Sequence, residues 1–143
     1  MELIVVLVVI SITAGLALPA YSSAVTRYRL QSATHQLSTD IDRATRHARA
    51  TMRPVTVIFD GGTHRVRFAS LPSRRSAGTD HVLDLLEHPN GAQISSADFS
   101  GQPWYTISAF GVPSSGGMVV LRGADSFATL TIDASTGAVS TTP

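Results

Sequence analysis

Residues 2–21 read ELIVVLVVISITAGLALPAY, and residues 22–53 continue as SSAVTRYRLQSATHQLSTDIDRATRHARATMR. The two stretches distribute their apolar residues differently, and that difference decides the fold. From Leu3 to Leu18 no side chain is charged and nearly all are apolar. As an α-helix this run measures roughly 24 Å, slightly less than a hydrocarbon core of about 30 Å. Pro19, Ala20 and Tyr21 bring it near full length and put a tyrosine at interface depth. A small domain rarely encloses a helix that is apolar on every side. A secretory signal would begin with basic residues and end at small ones. The expectation is a membrane-inserted helix over residues 1–21.

Beyond Pro19 the pattern becomes one-sided. Leu30, Ala33, Leu37, Ile41, Ala44 and Ala48 recur at spacings of three and four, which traces one helix face. This narrow, alanine-rich stripe suits packing against a sheet. Asp42 and Arg46 have the spacing of a favourable i,i+4 pair. Arg43, Arg46, Arg49 and Arg53 read as a solvated face, with a basic nucleic-acid surface as the sharper alternative. Arg53-Pro54 closes the element, because a residue before proline is pushed out of the α region. Residues 22–53 are therefore the amphipathic part of the same helix. Pro19 removes the bond to the Gly15 carbonyl, so a bend or local melting is expected around residues 15–20.

Residues 54–143 read as strands and turns. Val55–Phe59 and His64–Ala69 flank the turn signal Asp60-Gly-Gly-Thr63 and predict a hairpin. Leu71–Thr79 reads as a polar loop. Short strands are expected at Val82–Leu86, Ala92–Ser95, Trp104–Ile107 and Met118–Arg122, separated by glycines. A second hairpin, Phe127–Ile132 with Ala138–Thr141, closes the chain around the turn Asp133–Gly137. The fold class is α+β: a long N-terminal helix stacked on a small antiparallel β domain.

With 143 residues the chain is one folding unit, and its net charge of +1 demands no nucleic acid. It has no cysteine, which excludes disulfides and thiolate metal sites. The histidines show no metal-ligand spacing. His81 and His88 flank Asp84 and Glu87, but scattered surface histidines are the ordinary case. There is no nucleophile elbow and no phosphate loop. The sequence reads as non-enzymatic, with no cofactor and no metal.

Glu2 stands at the edge of the apolar run, where a carboxylate usually has a partner or a role. The first basic residues, Arg27 and Arg29, follow the run and by themselves favour a cytoplasmic domain. A basic leader ahead of Met1 would reverse that orientation. The expectation is that the chain derives from a longer precursor.

Glu2 followed by Leu-Ile-Val-Val-Leu-Val-Val-Ile, with Ala17-Leu-Pro-Ala-Tyr21, resembles the N-terminus of type IV pilins and type II secretion pseudopilins. The stretch from Leu30 to Ala48, then Arg53-Pro-Val-Thr-Val57 and the closing Thr129–Gly137 hairpin, is similar to the GspH/FimT family of minor pseudopilins and minor pilins. The resemblance implies a minor pseudopilin of a type II secretion system. The alternative it leaves open is a type IV minor pilin that contributes to pilus assembly or DNA uptake. It implies a single-pass protein of the bacterial inner membrane, with its β domain in the periplasm. Its implied partners are other pilin-like subunits, inner-membrane lipid, an assembly platform, and a prepilin peptidase acting on the precursor. Glu2 would set filament register, and Gly15 with Pro19 would let the helix bend. DNA-binding members carry a basic motif after a C-terminal glycine, whereas Gly137 is followed here by Ala138 and Val139. Arg65, Arg67, Arg74 and Arg75 are then the candidate DNA contacts.

Overall fold

The computed structural model describes residues 2–74, 76, 78–87, 90–124 and 126–142, apart from the side chains of residues 2 and 12–23. One helix, α1, runs from Glu2 to Thr51. Its helical assignment continues through Gly15 and Pro19, where a bend or local melting was expected, so the backbone there is not melted. One missing amide donor leaves the neighbouring turns bonded. The helix ends at a left-handed residue, Met52 (φ 52°), and Arg53 N donates to Ala48 O at 3.2 Å. That six-to-one bond is the Schellman closure, formed here without the usual glycine. Pro54 then prevents any continuation.

Among the described residues eight strands follow: β1 Val55–Asp60, β2 Arg65–Pro72, β3 Asp80–Asp84, β4 Gln93–Asp98, β5 Trp104–Ile107, β6 Gly117–Arg122, β7 Phe127–Ile132 and β8 Val139–Thr142. They form two four-stranded sheets, ordered β3-β2-β1-β5 and β4-β6-β7-β8, with every pairing antiparallel. The α1 helix packs against both. Alternation sets which residues face it. Val55, Val57 and Phe59 point inward on β1 and pair across with Phe68 and Val66 of β2 and with Tyr105 and Ile107 of β5. Val119, Leu121, Leu130 and Ile132 do the same on the second sheet. All six residues of the helix stripe are buried in this core, and the fold is α+β as expected.

Several strand ends differ from the sequence reading, and side chains explain why. The third strand was expected at Val82–Leu86 but stops at Asp84. There Asp84 Oδ1 accepts bonds from Leu86 N and Glu87 N, and the resulting turn ends the ladder. Leu71, assigned to a polar loop, is a buried residue of β2. The strand bulges just before it, where Ser70 (φ 72°) donates its amide to Asp80 Oδ1. The last turn holds Ala138 out of β8, because Asp133 N bonds Ala138 O and Gly137 N bonds Asp133 O. The Asp133 carboxylate also accepts from the amides and hydroxyls of Ser135 and Thr136. Those bonds favour its charged form and hold its carboxyl well below the usual carboxylate range. The expected Asp42–Arg46 pair is not among the ion pairs of the described residues.

Phe59, Phe99 and Tyr105 stack in one cluster, with ring centroids 4.6–6.3 Å apart. Burial pushes the Tyr105 hydroxyl far above its usual pKa, and among the described residues its oxygen has no hydrogen-bond partner. Removing an unpaired buried hydroxyl relieves a desolvation cost. Tyr105→Phe is therefore expected to leave stability unchanged or raise it by up to about 1 kcal/mol, read from the urea midpoint. A marked loss would mean that the hydroxyl contributes a bond.

Among the described residues no helix is long and apolar enough to cross a membrane. The expected span over residues 1–21 rests in large part on residues 12–21. The side chains of residues 12–23, on which the rest of that span depends, lie outside the described residues.

Candidate assembly surface

At its far end α1 presents large apolar side chains to solvent. Leu3, Ile4, Val5, Val6, Leu7, Val8, Val9 and Ile10 are 51–79% exposed. Eight consecutive positions cover more than two helical turns, so the apolar surface wraps the whole circumference. Burying one such side chain is worth about 1.5–3 kcal/mol, so together they leave more than about 10 kcal/mol unrealised in water. That rivals the net stability of an ordinary domain, about 5–15 kcal/mol. An apolar surface of this size and shape is built to be covered. Ser11 does not interrupt it, because its hydroxyl returns a 2.7 Å bond to Leu7 O.

The upper half of the helix is held to the β domain by more than its stripe. Leu30, Ala33, Leu37, Ile41, Ala44 and Ala48 are each 0–4% exposed. The alanines bring the helix backbone close to the sheets. Beside the stripe, Asp40 Oδ2 meets His81 Nε2 at 2.9 Å, and Gln36 Oε1 accepts from Asn90 Nδ2 at 2.8 Å. Arg43 Nη2 donates to Pro72 O at 2.9 Å, and Arg49 Nε to Phe110 O at 3.0 Å. The sequence reading had put Arg43 and Arg49 on a solvated face. Their spacing next to the stripe was visible, but the carbonyls that Arg43 and Arg49 reach leave no mark in a sequence. The rod is thus continuous with a helix anchored in the β domain.

Gly111 shows how close that anchoring is. Its φ is +78°, and a Cβ there would collide with the Arg49 guanidinium. Gly111→Ala combines backbone strain with loss of the arginine bond and is expected to cost about 1–3 kcal/mol. Gly61→Ala, with open space around it, serves as the control in the same thermal melt and should change little.

Two of the candidate DNA-contacting arginines, Arg65 and Arg67, have carboxylate neighbours. Arg65 Nε lies 2.8 Å from Asp84 Oδ2, and Arg67 Nη1 lies 4.0 Å from Asp80 Oδ2. Each of these charges is offset by a carboxylate on the neighbouring strand, and the Arg65 contact holds Asp84 below its usual pKa. Arg74 is exposed beside a groove of about 340 Å³ that also contains His81 and Glu87. Arg75, His88 and the Glu2 side chain lie outside the described residues. Among the described residues no three histidine or acidic side chains are grouped to hold a metal.

No protein-family model matches the sequence. No curated protein matches it. Among solved structures the chain is similar to the crystal structure of the type IV minor pilin FimU from Pseudomonas aeruginosa. The TM-score is 0.62 at 17% identity, over 82% of this chain and 90% of that one. At that identity the likeness is one of fold, and the fold of this chain is pilin-like.

Proposed function

We propose that this protein is a structural, non-catalytic subunit of a pilin-like filament in the bacterial envelope. The observation that carries the proposal is the exposed apolar rod, Leu3–Ile10, continuous with a helix anchored in the β domain. Before assembly the rod waits in the inner membrane with the domain on the periplasmic side. During assembly it exchanges lipid for the apolar helices of neighbouring subunits. Glu2 acts as the register device, pairing with the N-terminal amine of an adjacent subunit. Desolvation makes any mismatched position of that charge unfavourable. Gly15 and Pro19 lend the helix the compliance this transfer needs.

The residues resembling the GspH/FimT family make a minor pseudopilin of type II secretion the first reading. A type IV minor pilin is the second, and the likeness to FimU favours it. Deleting the gene and assaying protein secretion, piliation and DNA uptake side by side separates them. Loss of secretion alone supports the first reading, and loss of pili or DNA uptake the second. Wild-type behaviour in all three assays would remove the filament role altogether.

A further inference from the structure

We infer that the base of the β domain is a docking collar for an anionic lipid surface. The inference rests on the membrane reading of the rod and adds a second, charge-dependent contact above it. The collar begins at Arg27, Tyr28 and Arg29, all exposed, with Tyr28 at 70%. Consecutive helix residues point about 100° apart, so these three side chains spread over about 200° of the circumference rather than share one narrow face. A protein partner approaching from one side would meet only part of such an arc. A plane perpendicular to the helix meets all of it.

The β6–β7 hairpin completes the collar. Gly123 in its turn lies beside Thr26. Arg122 and Phe127, a cross-strand pair at the hairpin end, are both exposed, with the guanidinium 5.9 Å from the ring centroid. Phe127 also lines a groove of about 310 Å³ with Arg27, Leu30 and Ala128. The same end of the domain therefore offers two aromatic side chains and three arginines. Among the described residues no ion pair is recorded for Arg27, Arg29 or Arg122, in contrast to Arg65 and Arg67. Asp125, in the same turn, lies outside the described residues.

Height fits as well. Arg27 stands about 36 Å along the axis from Leu3. A hydrocarbon core of about 30 Å, in a bilayer of about 40–45 Å with headgroups, places that level at the outer phosphates. Arginines flanking a tyrosine at that level combine phosphate bonding with interfacial burial. The collar would hold the domain upright on the surface until the subunit is extracted.

The absence of native cysteine allows a clean test. The full chain carrying Ala124→Cys, spin-labelled, is reconstituted into vesicles of phosphatidylcholine alone or with phosphatidylglycerol. Phe110→Cys, at the opposite end of the domain, is the control. In anionic vesicles the residue-124 label should become shielded from a water-soluble relaxant and accessible to oxygen, while the residue-110 label stays in water. Each arginine near an anionic surface contributes about fivefold, so Arg27→Gln/Arg29→Gln/Arg122→Gln should shift docking by about a hundredfold. Chain that floats with vesicles but keeps residue 124 in water with both lipids overturns the collar and leaves the rod reading intact. Shielding from both relaxants regardless of lipid charge overturns it in favour of a protein contact. Chain that floats with neither vesicle overturns both.

Discussion

Leu37→Ala is expected to destabilise the folded domain by about 3–5 kcal/mol, which is among the largest effects available to a single substitution. Leu37 is 0% exposed at the centre of the helix stripe, with Ala33, Ile41 and Ala44 beside it on the helix. Its truncation loses transfer energy and leaves a cavity that two sheets and a helix cannot collapse together to fill. A domain with about 5–15 kcal/mol of stability would lose a large fraction of it. The loss has a functional consequence, because the stripe is what makes the rod a lever of the β domain. The urea midpoint checks the magnitude. Leu86→Ala, at a residue 48% exposed on the β3–β4 connection, is the comparison and should cost under about 1 kcal/mol. Equal effects at the two positions would mean that the stripe is not the principal anchor.

Val6→Arg is expected to act in the opposite way, leaving the domain folded while abolishing its retention and assembly. Val6 is 53% exposed within the rod, so the melting behaviour of the domain should not change. An arginine in an apolar span costs about 2.5–3.5 kcal/mol on insertion scales, equivalent to about a hundredfold in partitioning. The same charge would be desolvated among neighbouring helices in a filament. Membrane fractionation and sheared-filament yield should both fall by that order, whereas Val6→Leu should leave both intact. Loss of folding in the arginine variant would show instead that the rod belongs to the core.

Much of this architecture could be read from local pattern. The six stripe residues follow helical periodicity over five turns, and all six are buried. Asp60-Gly-Gly-Thr63 and Asp133–Gly137 announced the two hairpins, because tight turns need specific residues at specific places. Trp104–Ile107 and Phe127–Ile132 emerged with the expected ends. The division into two sheets could not be read, because β1 pairs with β5 across some fifty intervening residues, as in the bond between Thr56 and Thr106 hydroxyls. Nothing local specifies such a pairing. Strand ends set by side-chain capping at Asp84 and by the amide of Ser70 were missed for the same reason.

The assembly surface divides similarly. The apolar run was plain in the sequence, and the exposure of its first part follows from its distance to any sheet. The anchoring bonds of Arg43 and Arg49 were not legible, since their acceptors are the backbone carbonyls of Pro72 and Phe110. Asp40 and His81 come from elements forty-one residues apart, and either alone reads as an ordinary surface residue. The candidate DNA contacts were chosen by charge alone. Strand pairing puts Asp84 and Asp80 next to two of them, which no count of basic residues reveals.

The central claim is that the helix from Leu3 to Ile10 is covered in the cell by helices of neighbouring subunits. Cysteine crosslinking in cells tests it directly, using single cysteines stepped along residues 3–10 of the otherwise cysteine-free full chain, each combined with a second cysteine on a candidate neighbour or on the chain's own β domain, and a bifunctional thiol reagent. The account predicts intersubunit adducts that recur every three to four residues along the rod and vanish when the assembly platform is deleted. Adducts formed only within one chain, between the rod and its own β domain, would contradict it.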